Sequence, residues 1–330
     1  MSNNHLFLSC DWGTTAFRLR LIDKNSLHIV AEHSNTNGIA AVFRQWQNSP
    51  QNATTRLAFY QSFILESIKK WEKISFPTLN GVPIVLSGMA SSTMGLLELP
   101  YREMPFSLDG SDLRIEKIAA SSIFPHPMTL VSGAKSATDV MRGEEIQLVG
   151  CAADTRLEAQ VFIIPGTHSK HIFTRFDKAV SVATYMTGEL FAVLSTHSIL
   201  SNSIEKNGDF TEGSHRRAFE VGVHDSLERN PLNAFFQVRI NTLFDKYTPS
   251  ENYYYLSGLL IGLELKELIP QKNLNITLIS NNVLTPQYLT ALATLKIGQS
   301  LKVVNADEAI IKGHRKILDP SVKNLISKDF

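Results

Sequence analysis

A carboxylate and a turn of small residues stand together near the start of the chain, where Asp11 and Trp12 precede Gly13, Thr14 and Thr15. Glycine allows the backbone positive φ and brings amide groups close to whatever lies over the turn, and the threonines add two hydroxyl donors. Amides and hydroxyls suit phosphate oxygens, and a nearby carboxylate suits the accompanying Mg²⁺, directly or through water. The alternative is an ordinary hairpin with a glycine turn.

A similar unit recurs in the second half of the chain. The apolar residues 161–164 predict a buried strand, and Pro165, Gly166 and Thr167 follow it. Gly166 and Thr167 follow their strand as Gly13 and Thr14 follow the apolar residues 6–8. The same number of residues separates Gly13 from Gly166 and Thr14 from Thr167. A strand–Gly-Thr–strand unit in each half predicts a duplicated lobe, with the two turns facing each other across a cleft.

The composition is ordinary for a soluble globular chain. The length of 330 residues favours about two domains, and 43% apolar with 19% charged residues supplies sizeable cores. The net charge of +1 predicts no general attraction to nucleic acid or an anionic membrane. Cys10 and Cys151 are expected to be buried free thiols of a reducing compartment. Without a predicted signal peptide or membrane span, we expect a soluble, cytoplasmic protein.

The remaining chain alternates helical and strand patterns. Two related series of strands followed by alternating helices and strands predict an α/β protein of two lobes. The boundary is expected within residues 150–157, and residues 35–49 and 100–135 are expected to be irregular. After the hairpin over 6–23, strands are predicted over 27–31, 83–86, 276–279 and 301–304. Helices are predicted over 54–73, 139–150, 186–200, 213–228, 231–244, 253–268, from 285 to near 298, and from 305.

A second run of small residues follows the strand at 83–86. It begins with Ser87, Gly88 and Met89 and ends at Gly95. Small residues after a buried strand leave room for a ligand, and a flexible connector is equally compatible with this composition.

Five stretches together resemble the 2-dehydro-3-deoxygalactonokinase family of the acetate and sugar kinase, Hsp70 and actin superfamily. The resemblance implies two ribonuclease-H-like (actin-like ATPase) lobes, residues 1–152 and 153–330, flanking a central cleft, with the final helix free to return to the first lobe. The stretches are CDWGTT at 10–15, SGMASSTMG at 87–95, DVMRGEEIQLVG at 139–150, PGTHSKH at 165–171 with TYMTGEL at 184–190, and LSGLLIGLEL at 256–265.

The resemblance implies ATP-dependent phosphorylation of 2-dehydro-3-deoxy-D-galactonate at its terminal 6-hydroxyl, in galactonate catabolism. The implied partners are ATP, Mg²⁺ and the sugar acid, without nucleic acid or membrane, and a homodimer is one open alternative. Two other functions stay open: a phosphoanhydride hydrolase or ATPase of the same fold, and a non-catalytic nucleotide- or sugar-binding regulator.

Within this resemblance the nucleotide site takes residues from both halves. Asp11 is assigned to Mg²⁺, while Lys170 either supplies a point charge to the phosphates or is solvated on its strand. Where the superfamily usually has a glycine turn in the adenosine site, this chain has Ser280-Asn281-Asn282, and asparagine tolerates positive φ. The implied phosphate ligands are Gly13, Thr14, Thr15, Gly166 and Thr167.

The implied sugar-acid site centres on residues 139–145. Glu144 is the first candidate for the general base, and Asp139 is either the second or only a helix N-cap. Glu145 is expected on the outer face of its helix. Arg142 is the candidate for the substrate carboxylate, with Arg18 as the alternative and a salt bridge to Glu144 or Glu145 as the structural interpretation.

The other implied substrate contacts are Ser87, Gly88, Met89 and His168, which is expected to line the cleft. His168 and His171 are not expected to bind a metal, because positions three apart on a strand face opposite ways.

Overall fold

The computed structural model describes residues 3–49, 54–74, 78–151, 155–271, 274–298 and 300–319. The chain divides into two compact units. The first unit comprises Met1–Leu157, Arg175–Val182 and Ala306–Phe330, and the second comprises Glu158–Thr174 and Ala183–Asn305. The lobe boundary expected at residues 152 and 153 lies outside the described residues. The first unit also includes residues 175–182 and 306–330, which the two contiguous predicted ranges assigned to the second lobe.

Fifteen strands occur in the described residues. They are β1 (Leu6–Trp12), β2 (Phe17–Asp23), β3 (Ile29–Asn35), β4 (Ile84–Gly88), β5 (Arg102–Glu103), β6 (Phe106–Ser107), β7 (Ile115–Ile118), β8 (Met128–Val131), β9 (Ala134–Lys135), β10 (Val140–Met141), β11 (Ala159–Ile164), β12 (Ser169–Arg175), β13 (Lys178–Tyr185), β14 (Asn275–Ser280) and β15 (Ser300–Asn305).

Nine α-helices and four 3-10 helices occur in the same part of the chain. The α-helices are α1 (Ile39–Gln47), α2 (Arg56–Ile74), α3 (Glu144–Gly150), α4 (Thr187–His197), α5 (Gly213–Glu228), α6 (Pro231–Leu243), α7 (Pro249–Leu265), α8 (Thr285–Leu295) and α9 (Ala306–Leu318). The 3-10 helices are Asn3–His5, Met89–Ser91, Ile199–Ser203 and Lys266–Leu268.

The first unit is built on a sheet of order β3-β2-β1-β4-β8-β7. Strand β1 is antiparallel to β2 and parallel to β4, which is parallel to β8. The hairpin expected over 6–23 is thereby confirmed, with Trp12 opposite Phe17 at its turn. Helix α2 packs Tyr60, Ile64 and Ile68 into the core of this sheet, as their helical spacing predicts.

The second unit repeats part of this order. Its strands β12, β11, β14 and β15 are neighbours in that sequence, as β2, β1, β4 and β8 are in the first unit. Strand β14 is parallel to both β11 and β15. Helices α5 and α7 pack closely, since a Cβ on Gly258 of α7 would lie 2.0 Å from the Phe219 carbonyl oxygen of α5. The expected α/β class and the pair of related ribonuclease-H-like sheets are confirmed.

Several predicted elements are wrong in the first unit. Residues 35–49 contain α1, a short helix that buries Ile39 and Val42. The region 100–135 contains β5 to β9. The helix predicted over 139–150 begins only at Glu144, because Gly143 has φ of +113° and interrupts the helical backbone.

None of the helices in the described ranges has the length and apolar character that a membrane crossing requires.

Buried His314 of α9 connects the last helix to the central strands of the first unit. Its Nδ1 lies 2.8 Å from Ser9 Oγ on β1, and its Nε2 lies 2.9 Å from Ser87 Oγ on β4. Burial, together with the positive charge of Arg20, lowers the pKa of His314 to about 3. The imidazole is therefore neutral in the folded protein, accepting one hydrogen bond and donating the other.

Because of His314, we expect the free energy of unfolding to fall in mild acid. The unfolded chain takes up a proton on His314 near its ordinary pKa of 6.5, whereas the folded chain does so only near 3. The free energy of unfolding contributed by this group therefore falls by about 1.4 kcal/mol per pH unit as pH drops through that window. Urea titrations from pH 7 to pH 4 measure the slope. His314→Gln is expected to flatten it relative to the wild type, whereas exposed His28→Gln is not; equal slopes would contradict this account.

Candidate active site

The first turn, residues 13–16, is held from two sides. Within the turn, the Gly13 N–H donates to the Ala16 carbonyl at 2.9 Å. From α1, the N–H groups of Ile39 and Ala40 donate to the carbonyls of Gly13 and Thr14 at 3.0 and 3.2 Å. The start of this helix, which sequence patterns missed, thus fixes the turn.

This arrangement corrects the expected role of Gly13. Its φ is not positive, and its amide is already used within the turn. Thr14 and Thr15 are exposed, so their hydroxyl groups are accessible at the turn. The close approach instead requires Gly38, whose substitution would place a Cβ 2.2 Å from the Thr14 carbonyl oxygen.

Asp11 lies at the end of β1 within a group of alternating charges. Arg18 Nη1 is 3.6 Å from Asp11 Oδ2 and 3.3 Å from Asp307 Oδ1. Buried Arg20 pairs with the same Asp307 at 2.8 Å and with Glu32 at 2.6 Å. Burial raises the pKa of Asp11, while Arg18 and Arg20 oppose that shift.

The chemistry of this group fits Mg²⁺. Mg²⁺ prefers hard oxygen ligands and is commonly held by one or two carboxylates plus substrate phosphates and water. No cluster of three or more metal-binding side chains occurs within the described residues. Asp11, which is 27% exposed, is suited to hold Mg²⁺ in that way, with the phosphates supplying other ligands.

Two glycines bring the 142–145 segment to the same edge of the sheet. Gly88 ends β4 with φ of +77°, and a Cβ there would lie 2.8 Å from the Trp12 carbonyl oxygen and 3.6 Å from Asp11 Oδ1. A Cβ on Gly143 would in turn lie 3.3 Å from Gly88 Cα. Glycine at both positions therefore allows the start of α3 to approach the Asp11 end of β1.

Arg142 is anchored by the run of residues 87–95. Its Nη1 donates to the carbonyl and to Oγ of Ser91 at 2.7 and 2.5 Å, and its guanidinium stacks on Tyr101 at 4.2 Å. Its buried Nε has no hydrogen-bond partner among the described residues. Ala90, Ser91 and Ser92 are buried, so the interpretation of 87–95 as a flexible connector is wrong.

The two adjacent acids of α3 have different environments. Glu144 is half-buried and accepts the Arg142 backbone N–H at 3.0 Å. Glu145 is fully buried and accepts the Gly143 N–H at 2.7 and 3.0 Å, which overturns its expected place on the outer face. Burial, with a smaller effect of Glu144, raises the pKa of Glu145 to about 8. Burial thus favours the neutral form of Glu145 and makes it the less accessible of the two acids.

Asp139, Ser87 and Met89 lie in surroundings that differ from the predicted ones. Asp139 does not cap a helix; it precedes β10 and lines a cavity of about 710 Å³ together with Lys135. Ser87 is buried with its hydroxyl on His314, and Met89 packs against the core. The backbone of Ser87 is the β4 partner of Asp11, and a Cβ on the next residue, Gly88, would lie 3.6 Å from Asp11 Oδ1.

The second turn, residues 165–168, is fixed by the start of α4. The Glu189 N–H donates to the Thr167 carbonyl at 3.0 Å, as α1 does to the first turn. A Cβ on Gly188 would lie 2.5 Å from the Gly166 carbonyl oxygen. Thr167 and His168 are exposed, and His168 Nε2 pairs with the Glu189 carboxylate. His168 is thus oriented beside the turn.

The strand after this turn is less exposed than expected. Lys170 is only 7% exposed, so its interpretation as a solvated side chain is wrong. His171 is buried and pairs with Glu264 at 2.9 Å. Thr187, the first residue of α4, donates its hydroxyl to Glu264 at 2.5 Å.

The segment in place of the superfamily's glycine turn forms a turn closed by an asparagine side chain. Asn281 Oδ1 accepts the N–H groups of Val283 and Leu284, both at 3.2 Å, just before α8 begins. Neither Asn281 nor Asn282 has positive φ, so asparagine does not mimic glycine here. Buried Ser280 ends β14 just before this turn.

Val283 and Leu284 line one wall of a neighbouring cavity in the second unit. Its volume is about 110 Å³, and the other lining residues are Gly166, Thr187, Gly188, Phe191, Tyr253, Ser257, Leu260, Ile261, Gln287 and Tyr288.

Two carboxylates near these turns were missed from the sequence, and the reasons differ. Asp307 was hidden because only folding brings the start of α9 beside Arg18 and Arg20. Glu264 left a usable signal, since it is a lone acid within the apolar run 256–265. A single charge on an otherwise buried helix indicates a paired polar group.

Known proteins resemble this chain over nearly its whole length. The family model for 2-keto-3-deoxy-galactonokinase matches residues 11–317. A Rhizobium meliloti (strain 1021) protein named "Probable 2-dehydro-3-deoxygalactonokinase DgoK1" is 30% identical over 329 residues, 95% of this chain and 96% of the relative. The "2-dehydro-3-deoxygalactonokinase" of Escherichia coli (strain K12) is 26% identical over 317 residues, 94% of this chain and 97% of the relative.

A solved structure agrees with these matches. The crystal structure of "a putative 2-dehydro-3-deoxygalactonokinase protein from Sinorhizobium meliloti" superposes with a TM-score of 0.78 at 27% identity, covering 95% of this chain and 97% of that one. The family match spans the Asp11 turn, the 142–145 segment and the second turn alike. The chain therefore belongs to the 2-keto-3-deoxy-galactonokinase family, and it is a kinase that transfers phosphate to an alcohol group.

Proposed function

We propose that this kinase phosphorylates 2-dehydro-3-deoxy-D-galactonate at its terminal 6-hydroxyl, with Mg-ATP as the donor, in cytoplasmic galactonate catabolism. The family match over residues 11–317 supports the substrate class. The observation that carries the chemistry is the convergence of Asp11, Gly88 and Gly143 at one sheet edge. It brings a metal-binding carboxylate and the Glu144 segment together.

Each of the two turns is proposed to bind phosphate oxygens of a nucleotide. Asp11 would hold the Mg²⁺ that neutralises the β- and γ-oxygens. Thr14 and Thr15 in the first turn, and Thr167 in the second, are exposed and offer hydroxyl and amide donors to phosphate oxygens. The adenosine would occupy the cavity of the second unit beside the Asn281 turn, where Phe191 and Tyr253 supply aromatic surface.

Glu144 is proposed as the base. As the 6-hydroxyl oxygen bonds to the γ-phosphorus and the bond to the bridging oxygen of ADP breaks, Glu144 takes the hydroxyl proton. Glu144 is the accessible acid of this pair, because Glu145 is fully buried. Asp139, beside the larger cavity in the first unit, remains the second candidate.

Arg142 is proposed to bind the substrate carboxylate. Its Nη1 is committed to Ser91, whereas its Nε has no partner among the described residues, which leaves an edge for a carboxylate. Arg18, the alternative, already lies within 4 Å of two carboxylates.

Arg142→Lys is expected to raise KM for the sugar acid about tenfold or more, with a smaller effect on KM for ATP. Lysine keeps the charge but loses the planar two-point contact. Steady-state kinetics with each substrate varied separately measure this split. Arg216→Lys, which alters an arginine paired with Glu220 on the exposed side of α5 in the second unit, is the matched control. An unchanged sugar-acid KM in Arg142→Lys would remove this assignment.

A coupled ADP-release assay tests the proposed function across 2-keto-3-deoxy acids and plain sugars with Mg-ATP. We expect release that depends on 2-dehydro-3-deoxy-D-galactonate, with the 6-phosphate as product by mass spectrometry and NMR. Release independent of any acceptor would indicate an ATPase or phosphoanhydride hydrolase instead. Nucleotide binding without turnover on any acceptor would indicate a regulator.

A further inference from the structure

A buried carboxylate lies beneath the second turn. Glu264, near the end of α7, is 2% exposed and accepts three side-chain donors from three different elements. Thr187 Oγ1 of α4 donates at 2.5 Å, Tyr288 Oη of α8 at 2.9 Å, and His171 Nε2 of β12 lies 2.9 Å away. Burying a carboxylate costs free energy unless it is fully hydrogen-bonded, and these three partners compensate for that cost.

One connection from Glu264 reaches the turn through α4. Thr187, which Glu264 holds, is the first residue of that helix. The next residue, Gly188, packs on the turn so closely that a Cβ would lie 2.5 Å from the Gly166 carbonyl oxygen and 2.9 Å from Thr167 Cα. The third, Glu189, donates its N–H to the Thr167 carbonyl. Fixing Thr187 therefore fixes the helix start on which the turn rests.

A second connection reaches the turn through α8. Tyr288 donates its hydroxyl to Glu264, and burial raises the Tyr288 pKa, so the hydroxyl keeps its proton. Ser169 Oγ lies 3.1 Å from Tyr288 Oη and can donate to it. The Gly166 N–H in turn donates to Ser169 Oγ at 3.4 Å. The chain of hydrogen bonds thus ends on the backbone of the turn itself.

We infer that Glu264 is a positioning residue that holds the second turn in its phosphate-binding conformation. Glu264 does not line the neighbouring cavity, whereas Thr187, Gly188 and Tyr288 do. It acts through these residues, and holding the turn in advance lowers the ordering cost when phosphates bind. This inference rests on the proposed role of the second turn as a phosphate site.

Glu264→Gln is expected to weaken nucleotide binding. Glutamine keeps the volume but removes the negative charge, so the hydrogen bonds from Thr187 and Tyr288, which both reach Oε2, lose their charge assistance, and its NH₂ replaces the oxygen that faces His171. We expect about a 10- to 100-fold loss of affinity for Mg²⁺ with a non-hydrolysable ATP analogue, measured by calorimetry. KM for the sugar acid should change far less than KM for ATP.

Smaller variants separate positioning from general stability. Thr187→Val and Tyr288→Phe each remove one hydroxyl, and each is expected to weaken analogue binding less than Glu264→Gln does. In the Glu264→Gln/Thr187→Val double variant the losses should be less than additive, since both act on one connection. Asn252→Ala is the matched control. Asn252 is also buried on α7 but bonds Ser203, Val238 and Thr242, so it should lower Tm without changing analogue affinity.

The outcomes distinguish this inference from the proposed function. Wild-type analogue affinity in Glu264→Gln, or equal losses in Asn252→Ala at matched Tm, would overturn the positioning role. If Glu264→Gln does not fold, wild-type affinity in both Thr187→Val and Tyr288→Phe would overturn it instead. Because binding is measured without sugar acid, a chain that binds the analogue but phosphorylates no acceptor would refute only the proposed reaction. A wild type that does not bind the analogue would overturn both.

Discussion

Glu144→Gln is expected to lower kcat by about 10²- to 10⁴-fold while Mg-ATP still binds. Glutamine keeps the size of Glu144 and can still accept the Arg142 backbone N–H, but it cannot take a proton from the substrate hydroxyl. The effect should therefore fall on kcat, with KM for ATP close to that of the wild type. Rapid-quench measurement of phosphoryl transfer, together with calorimetric ATP binding, measures the two quantities separately.

Two further variants test whether the loss of kcat is specific to Glu144. Asp139→Asn tests the second candidate base, and a loss larger than that of Glu144→Gln would transfer the role to Asp139. Glu308→Gln, an exposed acid of α9 paired with Lys312, is the matched control and should keep wild-type kcat. Normal turnover in Glu144→Gln would remove Glu144 from the mechanism.

Asp11→Asn is expected to reduce kcat/KM for Mg-ATP by about 10³-fold or more. The amide is a much weaker ligand for Mg²⁺ than the carboxylate, and the positive charges of Arg18 and Arg20 would lose a counter-charge. The metal requirement should shift in parallel, so that higher free Mg²⁺ is needed for half-maximal activity. Activity titrations with Mg²⁺ at fixed ATP measure that shift.

The control for Asp11 comes from the other end of the same hairpin. Asp23 ends β2 and accepts the N–H groups of Asn25 and Ser26 in an exposed turn, so Asp23→Asn should cost some stability but leave the Mg²⁺ requirement unchanged. An unchanged Mg²⁺ requirement in Asp11→Asn, with kcat/KM within a few-fold of the wild type, would contradict the metal assignment.

Elements with strong internal patterns were predictable. Apolar spacing located α2, and the helices predicted over 213–228 and 231–244 agree with α5 and α6 to within about a residue. The strands that precede the two turns, β1 and β11, were also located, because each has a parallel neighbour and is a short run of buried apolar residues. Helix α1 was missed because the contact that stabilises its start is the backbone of the first turn, which lies over twenty residues earlier.

The acids of α3 show the limit of helical periodicity. Assuming a helix over 139–150 placed Glu145 outside, whereas the backbone leaves the helical path at Gly143 and places Glu145 inside. The cause is the contact of Gly143 with Gly88, two residues more than fifty positions apart. A shift in where a helix begins rotates every later side chain, so no local pattern could assign the buried acid.

The sequence by itself determined the family, the α/β class and the two Gly-Thr turns with Asp11 beside one of them, because these depend on residue types at fixed short spacings. Only the tertiary structure decided which groups are available at those turns. The Gly13 amide is hydrogen-bonded within its own turn, and Glu145 is the buried acid. Glu264 supports Gly166 through hydrogen bonds of Tyr288 and Ser169. The physical reason is that burial and hydrogen-bond partners are set by contacts between segments far apart in the chain, and these contacts determine which donors and charges remain available to a ligand.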